Sequence, residues 1–355
     1  MHNDVLIDPF NDSGWDEFVE NHPLGWICHL SGWAQVLEKS FKHMKGHYLA
    51  LLDEKQMAIR SAMPLFEVRS WLTGKRLVSI PFATLCDPLV SSSNDFEILF
   101  ESALNLAKRL GISNIEIRAH ESSPLIQDDR LGCTRFYKHH YLPLESEPEQ
   151  LMKTFHRTCV RQRISRAVKG NLTLRVADNE SDLCDFYRLH LITRKKLGLP
   201  PQPYVFFESL WDTFFESGRI SLLLAGKDGK AIAGLMLFKF KDRVSAEIAA
   251  SDHTYCDVSP NHYLFWEAIK LACQEGYKVF DFGRTPPNNH GLMDFKDRWG
   301  TRVVDLPEYY YPRQVCEKPA EPESSVRYKL IRSVCKNVPT FVSQRIGNFC
   351  YRHLG

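Results

Sequence analysis

Two stretches of the chain repeat one pattern of apolar and polar positions. Glu101 to Ala119 reads ESALNLAKRLGISNIEIRA, and Trp266 to Arg284 reads WEAIKLACQEGYKVFDFGR. In each, apolar residues recur at helical spacing and a glycine follows where the helix should stop. Apolar residues then alternate as on a strand, Ile115 and Ile117 in one copy, Phe280 and Phe282 in the other. Ala103, Leu106, Ala107 and Gly111 fall opposite Ala268, Leu271, Ala272 and Gly276. Upstream, MAIRSAMPL (Met57 to Leu65) matches KAIAGLMLF (Lys230 to Phe238), each after a short apolar run and a charged turn, which predicts a hairpin ahead of each helix. One such match is what two unrelated amphipathic helices give by chance. Two in the same order, about 165 to 173 residues apart, predict a duplicated domain rather than a solenoid.

Length agrees with this reading, because 355 residues exceed what one core usually serves. The domains are predicted at 1–145 and 146–312, joined by the acidic LESEPEQ (Leu144 to Gln150), with a linker and basic tail over 313–355. With 44% hydrophobic and 25% charged residues the chain is neither fibrous nor disordered. A net charge of +2 argues against a whole-chain nucleic-acid coat but leaves room for local basic clusters. The ten cysteines form no C-x-x-C pair and no metal spacing, so reduced thiols in a cytosol and no metal are expected. Met1 to Phe10 lacks the order of a signal peptide, and no run of 18 apolar residues occurs, so neither export nor a membrane span is expected.

Between Gln150 and Ala177 there is no acid, while Lys153, Arg157, Arg161, Arg163, Arg166, Lys169 and Arg175 supply seven cations. With Leu151, Phe155 and Cys159 on one stripe, the segment is predicted as a helix with one packed face and a guanidinium-rich remainder. Its partner would be phosphate, from a nucleotide-linked substrate, a lipid-linked sugar or tRNA; a merely solvated face is the alternative. In SPNHYLFWEAI (Ser259 to Ile269), Ser259 stands at an N-cap and Pro260 at the first helical position. Asn261 and His262 then sit in the first turn, where unbonded N–H groups favour an anion or are simply capped.

In VFDFGRTPPNNHGLMDFKDRWG (Val279 to Gly300), Asp281 is predicted to point away from Phe280 and Phe282 and, with Arg284, to reach a polar surface at the strand end. The TPPNNHG loop carries His290, and Lys296 projects from an F-K-x-x-W-G segment ending in Trp299 and Gly300, where a cation would neutralise an oxyanion or hold phosphate. Asp281 and Glu247, the latter interrupting the small and apolar run RVSAEIAAS, are the candidate bases; either is equally a salt-bridge partner for Arg284. His262 and His290 are candidate substrate contacts rather than catalysts.

PNHYLFWEAI, FDFGR and GLMDFKDRWG together resemble the C-terminal signature of the Fem-type peptidyltransferases and the related BioF-like acetyltransferases, especially the branch associated with exosortase and exopolysaccharide gene clusters. RKKLGLPPQPYVFF (Arg194 to Phe207) and HRTCVRQRISRAVKG (His156 to Gly170) resemble the same family's preceding blocks. The resemblance covers about Phe155 to Tyr311 and, more loosely, the first domain. It implies a mixed α/β architecture of two tandem acetyltransferase-like (GNAT) domains that transfer an acyl or aminoacyl group to an amine or hydroxyl. The acceptor would be a sugar- or peptide-containing envelope precursor. It also implies that Lys296, with Arg284 beside it, orients substrate or stabilises the oxyanion; Arg157, Arg161, Asn261, His262, His290 and Trp299 are the further candidate substrate contacts. One departure stands out: CDVSPNHYL (Cys256 to Leu264) lacks the glycine cradle that receives coenzyme A in ordinary acetyltransferases. The donor is therefore open between an acyl-coenzyme A and an aminoacyl-tRNA.

After EKPAEPESS (Glu317 to Ser325) no acid occurs, and Arg327, Lys329, Arg332, Lys336, Arg345 and Arg352 alternate with an apolar stripe of Val326, Leu330, Val334, Val338 and Phe341, continued by Ile346, Phe349 and Leu354. This predicts either an interfacial helix on an anionic membrane leaflet or a terminal helix packed on its own domain. Two other classes remain alternatives, a tRNA-binding protein using the basic segment and a non-catalytic partner in an envelope-polymer assembly.

Overall fold

The computed structural model describes residues 4–12, 14–53, 58–314 and 326–353. Met57, Glu317 to Ser325 and Leu354 lie outside the described residues, as do the side chains of Val326, Arg327, Lys329 and Leu330. Described residues within 1–137, 305–320 and 349–355 form one compact unit, and those within 138–304 and 321–348 a second. The sequence division at 145/146 lies a few residues beyond this boundary, and residues 305–312 group with the first unit.

In chain order the first elements are β1 (Asp4–Ile7), α1 (Gly14–Asn21), α2 (Ser31–Ser40), β2 (Met44–Leu52), β3 (Ile59–Ser70), β4 (Gly74–Val78), α3 (Ser93–Leu110), β5 (Ile115–Arg118) and β6 (Gly132–Pro143). There follow α4 (Pro148–Thr154), α5 (Gln162–Lys169), β7 (Thr173–Val176), α6 (Glu180–Leu197), α7 (Tyr204–Phe214), β8 (Ile220–Lys227), β9 (Lys230–Phe240), β10 (Arg243–Ser251), α8 (Pro260–Gln274), β11 (Val279–Thr285), α9 (His290–Asp297), β12 (Arg302–Tyr311), α10 (Val326–Asn337) and α11 (Thr340–Cys350).

The duplication is visible in the pairing. In the first unit β1 to β4 run antiparallel in succession, β4 pairs with β5 in parallel, and β5 pairs antiparallel with the end of β12. In the second, β7 to β10 run antiparallel, β10 pairs with β11 in parallel, and β11 pairs antiparallel with the end of β6. Each unit's last strand is thus supplied by the chain that follows the other unit's parallel pair. A parallel pair needs a long crossover, and α3 and α8 are those crossovers. The predicted glycine follows each helix, Gly111 directly after α3 at φ 65° and Gly276 one residue further on after α8 at φ 82°, left-handed conformations that a side chain disfavours. The buried face of α3 (Phe96, Leu99, Phe100, Ala103, Leu106, Ala107) and that of α8 (Leu264, Phe265, Ala268, Ile269, Ala272) fill the two cores.

Two expectations change. The basic segment is not one helix: α4 ends at Thr154, Phe155 turns extended, a π turn runs Arg157–Arg161, and α5 follows. Burying Leu151, Phe155, Val160, Ile164 and Ala167 against the core sets that break, and Cys159 is only half-buried. The tail is two helices, because Pro339 cannot continue α10. Its packed residues are Cys335, Ser343 and Gly347, whereas Val334, Phe341 and Phe349 of the predicted apolar stripe face solvent. Packing on its own unit is real, with Arg332 Nε donating to Leu197 O at 3.2 Å.

Candidate active site

The parallel ladder of the second unit is short. Arg243, Val244 and Ser245 of β10 face Val279, Phe280 and Asp281 of β11, although β10 runs on to Ser251 and β11 to Thr285. Just beyond the last pair both strands carry a bulge. Glu247 is the extra residue of β10 against β9, and Phe282 that of β11 against β6. A bulge re-aims a side chain, here a carboxylate at the point where a ladder stops.

Asp281 is 1% exposed, not at a polar surface as the strand alternation predicted, because β11 is covered on both faces. Its carboxylate accepts from His139 Nε2 at 2.9 Å to both oxygens, from Arg243 Nη1 at 3.0 Å and from the Gly283 N–H at 2.6 Å. Burial alone would raise its pKa, but His139, Arg243 and Gly283 outweigh burial and hold the carboxyl well below the usual range. A carboxylate so held is a poor base, and its salt-bridge partner is Arg243 where Arg284 had been expected.

Glu247 is the opposite case. It is half-buried, Oε1 accepts from Ser245 Oγ at 2.6 Å, and no partner for Oε2 occurs among the described residues. Burial pushes its carboxyl up to about 7, with Ser245 opposing and Asp281 adding to the rise. Lys296, 5% exposed in the last turn of α9, donates from Nζ to Gly283 O at 2.9 Å and Arg284 O at 3.1 Å. An ammonium has three donors, so one remains. Burial lowers the amine to about 8, and the charges of Asp281 and Glu247 resist that fall. Beside it, burial and then Lys296 drive fully buried His140 down to about 4, leaving it neutral. The group therefore offers a base poised near neutrality and a cation with a spare N–H, the pair that acyl transfer needs.

A second feature of this unit is a cavity of about 240 Å³ lined by Cys159, Arg163, His262, Gly291, Phe295 and Arg298. Helix α9 supplies Gly291 and Phe295 to it. Arg163 and Arg298 are exposed, the latter paired with Asp294 at 3.1 Å. His262, stacked on Trp299 at 6.0 Å, is driven by burial, and then by Arg163, down to about 4.

The remaining predicted residues are spread around these features. Arg157 is exposed and Arg161 half-buried, and neither lines the cavity. Asn261 Nδ2 donates to Ser251 Oγ at 3.3 Å. Half-buried Arg284 brings its carbonyl to Lys296, and His290 opens α9 in solvent. Trp299 is fully buried among Phe155, Phe265, Phe282 and Phe295, so its ring contacts core rather than substrate. Ser259 precedes Pro260 as expected, but at φ 54° and with no side-chain cap. No group of three or more His, Cys, Asp or Glu among the described residues is arranged to hold a metal.

Comparison with known proteins agrees with this fold. Residues 154–297 match the acetyltransferase (GNAT) domain family. The lipid II:glycine glycyltransferase of Staphylococcus epidermidis is 21% identical over 383 aligned positions, covering 82% of this chain and 88% of that protein. Among solved structures, FemX superposes with a TM-score of 0.70 at 18% identity over 93% of this chain and 100% of its own. A tandem GNAT protein from the clavulanic acid biosynthesis pathway gives 0.54 at 12% identity over 88% and 99%. The chain is a GNAT-fold acyltransferase, similar to the Fem-type enzymes.

Sequence reasoning missed four polar neighbours in this acyltransferase: His139, His140, Arg243 and Ser245. The adjacent histidines of YKHHYLP were the available signal, since on a strand alternation sends one of them to each face. Which strand that face would meet was not local information.

Proposed function

We propose that this acyltransferase moves an acetyl or aminoacyl group onto an amine or hydroxyl of a cell-envelope or exopolysaccharide precursor, using Glu247 as base and Lys296 as the cation on the oxyanion. The observation that carries the reading is the bulged Glu247, with a carboxyl near 7, within electrostatic reach of a lysine with one uncommitted donor. The acceptor nitrogen or oxygen attacks the donor carbonyl and its proton passes to Glu247. Negative charge collects on the carbonyl oxygen against Lys296. Collapse breaks the thioester or ribose ester bond, and Glu247 returns the proton to the leaving sulfur or oxygen. Asp281 serves through His139, Arg243 and Gly283, holding the strand end on which Lys296 rests.

The acceptor class follows the name of the staphylococcal relative, a lipid II:glycine glycyltransferase. Arg157, Arg161 and Arg163, with the His262 cavity, are the proposed seat for donor phosphates, and Asn261, Arg284 and His290 further contacts. The missing glycine cradle favours aminoacyl-tRNA over coenzyme A, and a steep salt dependence of donor affinity would mark tRNA. No helix among the described residues is long and apolar enough to cross a membrane. The reading instead places the enzyme against the inner leaflet, supported by outward Val334 and Phe341 beside exposed Lys336 and Arg345.

The test is transfer to lipid II from acetyl-coenzyme A and from an aminoacyl-tRNA pool, followed across pH. Glu247 must be ionised and Lys296 charged, so kcat/KM should rise through about 7 and fall beyond about 8. Glu247→Gln should lower kcat by about 10²–10⁴ and erase the rising limb. A wild-type profile from that variant would remove Glu247 as the base.

A further inference from the structure

The first unit carries an exposed aromatic patch for which acyl transfer gives no reason. At the turn between β3 and β4, Trp71 is 79% and Leu72 55% exposed, and Phe349 beside them is 50% exposed. A tryptophan ring in water is an unusual exposure, and this one is held rather than loose. His353 meets it edge-on at 5.2 Å and 90°, and Phe349 at 6.4 Å. His353 Nδ1 lies 3.0 Å from Ser70 Oγ, and that oxygen also accepts the Leu72 and Thr73 N–H groups at 3.1 and 3.0 Å. The turn is therefore braced from beneath while its apolar tip faces outward.

The two chain segments that build the tip carry cations and no acid. No Asp or Glu occurs from Val68 to Cys86 or from Val326 to the end of the sequence. Lys75, on the outgoing strand of the same turn, and Arg352, next to His353, are exposed and have no ion-pair partner among the described residues. A rigid Trp and Leu tip ringed by uncompensated cations is the chemistry of an interfacial anchor on anionic lipid: aromatic rings at headgroup depth, ammonium and guanidinium groups on the phosphates.

We propose that the Trp71–Leu72 turn with Phe349, Lys75 and Arg352 is an anionic-membrane docking surface of the first unit, additional to the exposed Val334 and Phe341 of the second. It rests on the reading that the enzyme works at a membrane.

The full chain is sedimented with vesicles of equal parts phosphatidylglycerol and phosphatidylcholine, and with phosphatidylcholine alone. Wild type should pellet with the mixed vesicles and be released by salt. Trp71→Ser with Leu72→Ser should weaken that binding about tenfold or more, and Lys75→Ala with Arg352→Ala should flatten its salt dependence. Thermal melting should match wild type, since the substituted groups face water. Wild-type binding by the Trp71/Leu72 variant, with loss on Phe341→Ser, would overturn this anchor while leaving the membrane reading standing. No binding of wild type to the mixed vesicles would overturn both.

Discussion

The two units share one strand order and differ most where the parallel pair stops. In the first unit that point is closed by the chain itself. Ser79 Oγ accepts the Arg118 N–H at 2.9 Å, and the Arg118 guanidinium donates to Glu116 at 2.9 Å and to Ala83 O at 3.4 Å. Glu308 adds a charge at 3.6 Å. In the second unit the equivalent position to Glu116 is Asp281, satisfied by His139 and Arg243, and past it stand Glu247 and Lys296 with capacity unspent. One duplicated junction is filled with mutually satisfied charge, the other left with a base and a donor. The lesson is that the fold provides the junction and the balance of charge there decides between structure and chemistry.

The sharpest way to break that contrast is Arg118→Met. Glu308 is 5% exposed and would share its surroundings with Glu116, leaving Arg76 as the neighbouring cation, so stability should fall by about 3 kcal/mol. Turnover per folded molecule, measured well below the melting transition, should hold. A Tm unchanged from wild type would mean the first junction is not a structural cluster.

Lys296→Met makes the complementary statement. It removes the proposed oxyanion cation while keeping the volume of a residue 5% exposed, so kcat should drop by about 10²–10³ and melting should move less than in Arg118→Met. If the large stability loss came instead from Lys296 and the rate survived, the assignment of roles to the two junctions would be reversed.

Much of this contrast was written locally and could be read. The helix, glycine, strand blocks ending in Ile117 and Phe282 are decided within twenty residues, and both glycines adopt the predicted left-handed caps. Glu247 stood out as a polar residue in a small and apolar run, and Lys296 through its F-K-x-x-W-G segment. What could not be read depends on pairing across long separations. His139 meets Asp281 only because the end of β6 belongs to the second unit and pairs there with β11, 142 positions away. The bulge at Glu247 exists only relative to β9, and without it simple alternation would send that side chain to the other face. Trp299 was read as a contact from its place in a motif, whereas five surrounding rings claim it for the core.

The finest test compares two serines at neighbouring places on corresponding strands. Ser79→Ala strands the Arg118 N–H inside the first unit, which should cost about 1 kcal/mol at every pH and leave the rate profile alone. Ser245→Ala removes the 2.6 Å hydrogen bond to Glu247, one of the influences that hold that carboxyl down. Its pKa therefore climbs further above the ordinary glutamate value, and the rising limb of kcat/KM should move to higher pH by a fraction of a unit, the share of one hydrogen bond of about 1 kcal/mol. The sign of the stability change follows the same bond. Ser245 favours the ionised form, so what its loss costs should grow as pH rises through about 7, where the carboxylate forms, and shrink below it. Parallel pH dependence of the two alanine variants, in rate or in Tm, would mean that the two junctions do the same job.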